Sequence, residues 1–441
     1  MLAVAWITAL ATTIAASGSP ALLAKRDVKT VLAHVIVGNT YNYDIQRWTS
    51  DIQLASSKSI DVFAMNVGRD YWQPDRVKLA YDAALSSVPG FKLMLSFDMT
   101  EFPCTSTSDG QYLIDTFLAI VKNHPSRYLY DSKMALTTFG GQWCTFGQLD
   151  PSTGWQWFLA SAGMPIYFIP NFHVDVAELS TTWSWLDGYK LWNAWPLTRQ
   201  DKTQWADDAW YLQHTRSGQG YLTMVSPWFF IHRSGGGGNS RYYRGDNFMY
   251  TDRWRQLIQN RNSLPFVEIG SWNDYGESHY IGPLNGSIPA GTSYVGNTTD
   301  HYAWLDLTKH YALWFKYGIE PKIDQERVYM WARSQPKDAS ICNTDGIGVV
   351  QNANWAEELL YVSMFMTAPG QAHCFSGTSN TGIKDLMAGV NEFSIPLSEG
   401  PVGCLLVRNG TAVLDYQPSD FRFSRSPSTC NMNAWTGTSV V

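Results

Sequence analysis

Eight short apolar runs recur between residues 30 and 320, and each has the length and composition of a buried β-strand. The runs are Val31–Val37, Asp61–Val67, Lys92–Phe97, Lys133–Phe139, Pro165–Pro170, Gly188–Trp192, Tyr221–Val225 and Phe266–Gly270. Helical patterns lie between them. Because strands that alternate with helices pair in parallel, the order of these segments predicts a parallel sheet.

The segments between the strands carry apolar residues at helical spacing. Ile45, Trp48, Ile52 and Ala55 fall on one helical face. Two further faces flank the last strand: Tyr250, Trp254, Leu257 and Ile258 before it, and Trp304, Leu307, Tyr311, Trp314 and Phe315 after it. Eight strand–helix units predict an α/β fold built as a (β/α)8 TIM-like barrel, which usually takes about 250 residues. A doubly wound open sheet is the alternative, but the chain has no nucleotide-binding fingerprint.

The pattern of apolar and polar residues changes after Pro321. Short runs such as Arg327–Ala332, Leu359–Met366 and Val402–Val407 are punctuated by Gly, Pro, Ser and Asn, without a long helical pattern. This pattern predicts a small all-β sandwich that packs tightly on the barrel, because no linker-like stretch separates them. We therefore expect three segments: a signal peptide with a short propeptide over 1–26, a catalytic barrel over 27–322 and a β-sandwich accessory domain over 323–441. The run Gly235–Gly238 predicts a mobile loop at the barrel mouth or a plain insertion.

The amino-terminal segment predicts export. Residues 2–16 form an uncharged apolar run, too short for a membrane span, and small residues follow it as in a cleavage site. Lys25-Arg26 is a candidate processing site or a chance pair. The carboxyl terminus lacks the hydrophobic tail that precedes lipid anchoring. We expect a secreted protein, extracellular or in a cell wall.

The cysteines and sequons agree with export. Six cysteines occur without zinc-type spacing, so we expect disulfides in an oxidising compartment. The predicted pairs are Cys104–Cys144, Cys342–Cys430 and Cys374–Cys404. The predicted glycosylation sites are Asn285, Asn297 and Asn409, each in an N-x-[ST] sequon.

Composition narrows the function. Charged residues make up only 16% of the chain and the formal net charge is −6, which argues against binding nucleic acid. Aromatic residues are abundant, with 20 Trp, 23 Tyr and 20 Phe. Their flat faces suit stacking on sugars, and a large Trp-rich core is the equal alternative.

Polar and aromatic residues follow the predicted strands. The ends carry Asn39, Tyr41, Asn66, Asp98, Gln142, Trp143, Asn171, His173, Asp175, Asn193, Trp195, Trp228 and the segment from Ser271 to His279. Catalytic residues of barrels lie at the carboxyl ends of strands. The set is rich in carboxylates, amides and indoles and poor in Lys and Arg, which predicts a site for a neutral polysaccharide rather than an acidic substrate.

Asp274 and Glu277, after the eighth strand, are the strongest catalytic candidates. Glycoside hydrolysis needs two carboxyl groups, and a three-residue spacing in a loop allows the ~6.5–9.5 Å separation of inverting enzymes. The alternative is an ordinary helix amino-terminus, where acidic residues are common. Asp98 is the third candidate, with a helix cap or a buried structural role as its alternative.

Other chemistries have weaker signals. The sequence contains no G-x-S-x-G, H-E-x-x-H or G-K-[ST]. His173 and Asp175 are too few ligands to predict a metal, and we expect no cofactor. Tryptophans on helices are expected in the core. The substrate-binding candidates are Asn66, Trp143, His173, Asp175, Trp195, Trp228, Trp272, Asn273, Tyr275 and His279.

Four strings resemble glycoside hydrolase family 71, the fungal α-1,3-glucanases or mutanases: VLAHVIVGNTYNY, IDVFAMNVG, KLMLSFDMT and VEIGSWNDYGESHYIGP. The resemblance implies a barrel with an appended β-sandwich, secretion, and endo-type hydrolysis of α-1,3-glucan with inversion. The family's acidic residues fall on Asp274, Glu277 and Asp98. We assign Glu277 as acid, Asp274 as base and Asp98 as a residue that positions sugar or water.

The resemblance leaves rivals open. A silent carbohydrate-binding barrel, a hydrolase of another glucan linkage and a metal-dependent hydrolase would share much of this pattern. Some relatives carry a Ser/Thr linker and a carbohydrate-binding module; this chain has neither, which leaves tight attachment to insoluble glucan unsupported. The expected partner is the polysaccharide substrate, with a monomeric protein and no nucleic-acid or membrane partner.

Overall fold

A computed structural model describes residues 29–196, 204–216, 218–234, 240–243, 246–292, 300–344 and 346–440. The predicted signal segment 1–26, the run Gly235–Gly238 and the sequon at Asn297 lie outside the described residues. Asn285 and Asn409 are both exposed.

The larger part of the chain alternates strands and helices. The strands are β1 Thr30–Ile36, β2 Val62–Val67, β3 Lys92–Asp98, β4 Leu129–Tyr130, β5 Lys133–Phe139, β6 Ile166–Phe168, β7 Gly188–Lys190, β8 Gly220–Val225, β9 Phe230–His232, β10 Ser240–Tyr242 and β11 Phe266–Ile269. The helices are α1 Ile45–Ser57, α2 Gln73–Ser87, α3 Thr107–Leu113, α4 Ala119–Val121, α5 Pro151–Ser161, α6 Trp205–His214, α7 Met249–Gln259 and α8 Tyr302–Tyr317. A π-helical turn, Ile114–Leu118, joins α3 to α4. All eight predicted strands are confirmed, with ends that differ by up to two residues.

The eight predicted strands form one curled parallel sheet. Its order is β6-β5-β3-β2-β1-β11-β8-β7, and β4 adds an antiparallel edge to β5. This is the order in which a barrel would close between β6 and β7. At that seam the backbone N–H of Lys190 donates to the carbonyl of Pro170 at 2.9 Å. The sheet therefore brings the carboxyl ends of its parallel strands to one mouth.

The helices form where the apolar spacing predicts them. In α1, Trp48, Ile52 and Ala55 are buried, and the Asp44 carboxylate caps the first turn by accepting from the backbone N–H of Arg47. Helix α8 ends at Gly318, whose φ of 72° is the left-handed conformation that terminates helices.

Residues 327–438 form two antiparallel sheets. Their strands are β12 Arg327–Arg333, β13 Leu359–Met366, β14 Gly370–Ser376, β15 Ser379–Asn380, β16 Lys384–Leu386, β17 Gly389–Pro396, β18 Val402–Arg408, β19 Thr411–Tyr416 and β20 Ala434–Thr438. One sheet has the order β17-β13-β12-β20; the other has β15-β14-β18-β19, with β16 on β14.

The first of these sheets is buried on both faces because its side chains alternate. On β12, Tyr329 and Trp331 join the hydrophobic cluster of the α/β part, whereas Val328 and Met330 join a second cluster shared with the other sheet. Helix α8 packs on β12 and β20. The predicted tight packing is confirmed.

All three predicted disulfides are confirmed. Cys104 pairs with Cys144, Cys342 with Cys430 and Cys374 with Cys404. Within the described ranges, none of the helices combines the length and the apolar character that a bilayer crossing requires.

Candidate active site

The loop after β11 is fixed to β1 by its own residues. The side chain of Asn273 accepts from the Ile36 N–H at 2.7 Å and donates to the Ile36 carbonyl at 3.0 Å. The backbone N–H of Trp272 donates to the His34 carbonyl at 2.7 Å. Asp274 and Glu277 therefore project from a braced segment at the mouth of the curled sheet.

Asp274 and Glu277 lie side by side. The backbone N–H of Glu277 donates to Asp274 Oδ1 at 3.1 Å, and the N–H of Asp274 donates to Ser271 Oγ at 2.8 Å. One oxygen of each carboxyl group lies within 4.8 Å of the other. The exposed fraction of the side chain is 20% for Asp274 and 33% for Glu277, so both are partly buried and still accessible to solvent.

His279 lies beneath both carboxyl groups and is fully buried. Its Nε2 is 3.0 Å from Glu277 Oε2 and 3.7 Å from Asp274 Oδ2, and its Nδ1 is 3.0 Å from Ser271 Oγ. Asp274, Glu277 and His279 each offer one ligand atom, and these atoms are close enough to hold a cation. Acidic clusters of this kind are common without a metal.

The surroundings of Asp274 shift the pKa of its carboxyl group. Burial and the neighbouring charge of Glu277 raise the pKa of Asp274 to about 6, against the opposing effects of His279 and Arg233. A carboxyl group that stays protonated in weakly acidic solution beside a second carboxyl group is the arrangement that acid–base hydrolysis of an acetal requires.

An open groove runs over the carboxyl groups. It consists of two adjoining hollows of about 340 and 440 Å³, and Asp274, Glu277, Asp98, Asn66 and Ile36 line both. The three predicted catalytic residues therefore meet where the two hollows join.

The groove also contains two arginines that sequence reasoning did not place there. Arg241 lines the first hollow with Tyr243, and Arg233 lines the second. They reach the mouth because β9 and β10 pair as a hairpin, and Phe230 N–H of β9 donates to the Glu277 carbonyl at 3.1 Å. The expectation of a site poor in Lys and Arg is therefore wrong. Arg241 lies in β10 and Arg233 directly follows β9, and this hairpin interrupts the alternation of strands and helices.

Two predicted substrate-binding residues line the groove. Asn66, at the end of β2, faces both hollows, and Trp195 faces the first. The Trp195 indole N–H donates to the Trp228 carbonyl at 2.7 Å, and its ring lies 4.9 Å from that of His279. Trp195 is thus held against the catalytic candidates.

Five other predicted substrate-binding residues are buried, and none of them is among the described residues that line the groove. They are Trp228, Trp272, Asn273, Tyr275 and His279. Trp228 packs against Trp304, and the Trp272 indole N–H donates to Asp51 at 2.9 Å. Because the loop folds back on β1, the side chains of its own four residues support it, and Trp228 belongs to the core; burial of all five corrects the expectation that they contact a sugar.

The remaining three lie outside the two hollows. Trp143 is about half exposed and covers Gly140. His173 Nε2 is 3.2 Å from the Asn171 side chain, and Asp175 caps the short helix Val176–Ser180 by accepting from Ala177 N–H. The cap engages one oxygen of the exposed Asp175 carboxylate, so its assignment to sugar binding also stays a prediction. Trp143 and His173 stay predictions for a longer ligand.

The first hollow has a floor and walls that the sequence reasoning missed. His34, Phe139, Trp192 and Phe229 line it. The tryptophan lies two residues beyond β7 and was assigned to the predicted strand itself. The histidine lies inside β1, where it passes for a core residue; a polar residue within an otherwise apolar strand is the signal that could have found it.

Residues 27–441 match the profile described as "Glycosyl hydrolase family 71". The match covers the braced loop, the groove and both antiparallel sheets. The chain belongs to glycosyl hydrolase family 71.

Two relatives and one solved structure are similar to this family 71 chain. It is 36% identical to "Glucan endo-1,3-alpha-glucosidase agn1" of Schizosaccharomyces pombe over 93% of this chain and 94% of that protein. It is 29% identical to "Mutanase Pc12g07500" of Penicillium rubens over 90% and 86%. A GH99 endo-alpha-mannosidase structure from Bacteroides thetaiotaomicron covers 65% of this chain and 97% of its own, with 14% identity and a TM-score of 0.49.

Proposed function

We propose that this family 71 enzyme hydrolyses α-1,3-glucosidic bonds within α-1,3-glucan. The observation that carries the proposal is the position of Asp274 and Glu277, adjacent on one braced loop and both facing an open groove. The names of the relatives agree with this linkage, and a groove open along its length suits cleavage inside a chain.

In this mechanism Asp274 is the acid and Glu277 the base. Ser271 Oγ accepts from the Asp274 N–H and lies 3.0 Å from His279 Nδ1, and His279 Nε2 lies 3.0 Å from Glu277 Oε2. Burial and the charge of Glu277 raise the pKa of Asp274, which supports Asp274 as the carboxyl group that carries the proton. This division is the reverse of the one we assigned from the sequence.

Asp98 takes the positioning role. Its carboxylate lines both hollows and accepts from the backbone N–H and hydroxyl of Thr100, at 3.1 and 2.6 Å, which holds it in one orientation. In the proposal it binds a sugar hydroxyl or the attacking water.

Inversion rests on the family resemblance. The separation of less than 4.8 Å between the nearest oxygens is shorter than the ~6.5–9.5 Å typical of inverting pairs. NMR of the first product formed from α-1,3-glucan tests it: β-configured reducing ends support inversion, and α-configured ends refute it.

The decisive experiment measures reducing ends released from α-1,3-, β-1,3- and α-1,4-glucan. We expect release from α-1,3-glucan alone, unchanged by a chelator, and nearly abolished in Glu277→Gln and Asp274→Asn variants that unfold at the wild-type temperature. Binding without release would favour a silent carbohydrate-binding protein. Release from another glucan would favour a different linkage, and loss with chelator a metal-dependent hydrolase.

The same variants test the division of roles on an activated α-glucosyl fluoride, whose leaving group needs no proton. We expect Asp274→Asn to retain turnover of the fluoride and Glu277→Gln to lose it. The opposite result would restore the assignment made from the sequence.

The wider proposals concern architecture and location. The strand order supports a closed (β/α)8 barrel over 27–322 and a β-sandwich domain over 323–441. Three disulfides and the predicted leader support secretion to the outside or the wall of the cell. We further propose a monomer, which sedimentation tests.

A further inference from the structure

Three ionisable side chains lie in contact inside the curled sheet, below the first hollow. Glu268 Oε1 is 2.7 Å from His34 Nδ1 and 2.9 Å from Lys190 Nζ. The exposed fraction of the side chain is 2% for His34 and 0% for Glu268 and Lys190. They come from three different strands, β1, β11 and β7.

Such a group is expensive to bury. Taking a carboxylate and an ammonium group out of water costs several kcal/mol for each ion, and an apolar replacement is often as stable. Glu268 Oε2 moreover has no hydrogen-bond partner among the described residues. Stability alone therefore gives a poor account of these three residues, and their position beneath the groove suggests a role in it.

The contacts orient the imidazole of His34. The carboxylate of Glu268 can only accept, because Lys190 beside it keeps the pKa of Glu268 at about 2 despite burial. His34 Nδ1 must therefore carry the hydrogen. Burial and the charge of Lys190 lower the pKa of His34, so the ring is neutral and its Nε2 has a free lone pair.

Nε2 is the ring nitrogen that remains for the groove. His34 lines the first hollow with Asp274, Glu277 and Trp192. The rings of His34 and Trp192 meet edge to face at 5.0 Å, and Lys190 Nζ lies 5.0 Å from the Trp192 ring. A flat apolar wall thus stands beside an acceptor, the pairing that a pyranose ring with a hydroxyl group fits.

We propose that His34 is a substrate-binding residue whose Nε2 accepts a hydrogen bond from a hydroxyl group of the glucosyl unit at the catalytic carboxyl groups, and that Glu268 and Lys190 position it. The inference rests on the proposed function and adds a specificity-determining contact to it. A sugar unit that lacks this hydroxyl, or presents it at another angle, would leave Nε2 unpaired.

Two substitutions separate the two ring nitrogens. His34→Asn keeps a donor near Nδ1 for Glu268 and removes the acceptor at Nε2. We expect kcat/KM on soluble α-1,3-linked oligosaccharides to fall about tenfold or more, while the unfolding temperature of the variant equals that of the wild type. His34→Gln places its amide oxygen near Nε2 and recovers part of that loss. His214→Asn, on helix α6 where Nδ1 bonds the Trp210 carbonyl at 2.8 Å, is the matched control and leaves kcat/KM unchanged.

NMR of the wild-type protein with ¹⁵N-labelled histidine provides the readout that does not depend on a variant. We expect the His34 signal to show a protonated Nδ1 and a bare Nε2, and the Nε2 signal to shift when an α-1,3-linked oligosaccharide binds. A protonated Nε2, or wild-type kcat/KM in His34→Asn, would overturn the inference. Failure of the wild-type enzyme to cleave α-1,3-glucan would refute the proposed function instead. The NMR measurement of which His34 ring nitrogen carries the hydrogen does not depend on cleavage, so the two failures can be told apart.

Discussion

The carboxyl group of Asp274 shows how a few contacts determine what a side chain can do. It lies beside Glu277 and over His279, and burial together with the charge of Glu277 raises its pKa to about 6. An exposed aspartate would be ionised at a pH equal to this pKa. The same loop in an extended conformation would carry two ordinary carboxylates.

The raised pKa predicts the pH dependence of hydrolysis. The acid must be protonated, so kcat/KM should be highest below about pH 6 and fall up to tenfold per pH unit above it. A pH–rate profile on a soluble α-1,3-linked substrate checks this. Asp98→Asn, which lowers the rate without touching the pair, should keep the same midpoint; constant kcat/KM from pH 5 to 8 would contradict the role of Asp274.

The buried Glu268–Lys190 pair predicts an asymmetric cost of substitution. Glu268→Leu leaves the ammonium group of Lys190 buried without a partner, so the free energy of unfolding should fall by about 3–5 kcal/mol. Denaturation with urea measures this change. The double variant with Lys190→Met should recover most of the loss, because no unpaired charge remains; an equal or greater loss would show that the pair itself supplies the stability.

Helix α5 illustrates a conflict between local preference and packing at the scale of one element. Its Gly154 lies in mid-helix, where alanine would ordinarily stabilise by about 1 kcal/mol. A Cβ there would clash with the carbonyl oxygen of Thr145, and that backbone directly follows Cys144, which is disulfide-bonded to Cys104. The helix can therefore lie close to this segment only with glycine at that position.

We expect Gly154→Ala to lower the thermal unfolding temperature, although helix propensity alone predicts a rise. Differential scanning calorimetry compares it with Gly90→Ala, whose added Cβ has nothing within 4 Å and should change little. A stabilised Gly154→Ala would mean that α5 moves away from the Thr145 segment at no cost.

The whole molecule is held together by a sheet with two buried faces. Trp331 of β12 packs into the α/β part, and the indole N–H donates to the Asn247 carbonyl at 3.1 Å. Arg333 and Asp246 form a buried ion pair at 2.9 Å between the two parts, and His301 Nε2 lies 3.0 Å from the Ala434 carbonyl. Separating the parts would expose all of these groups at once.

Residues 27–322 should therefore not fold stably without residues 323–441. The full chain should unfold in one calorimetric transition, and the shorter chain should expose apolar surface that binds a hydrophobic dye. Two separate transitions in the full chain, or a shorter chain with native near-ultraviolet circular dichroism, would contradict this.

Much of the architecture follows from local order along the chain. The eight strands and the apolar faces of α1, α7 and α8 were predicted because burial imposes a period on each segment, and the antiparallel sheets because the change of pattern after Pro321 is abrupt. The three acidic candidates, Asp274, Glu277 and Asp98, were predicted because a parallel sheet collects its strand ends at one mouth.

The surroundings of those acids were decided by tertiary structure alone. Whether Trp272 or Trp195 faces the groove depends on how a loop folds back on β1, and a strand-end position is the same for both. The β9–β10 hairpin brings Arg233 and Arg241, 8 positions apart, to the groove. The buried contact between His34 and Glu268 joins residues 234 positions apart, and Lys190 joins them from a third strand. The sequence pattern of a segment determines whether it is buried. Only the folded chain determines which polar groups share one enclosed space, because this depends on packing between distant segments, and the local sequence of one segment does not indicate its partner.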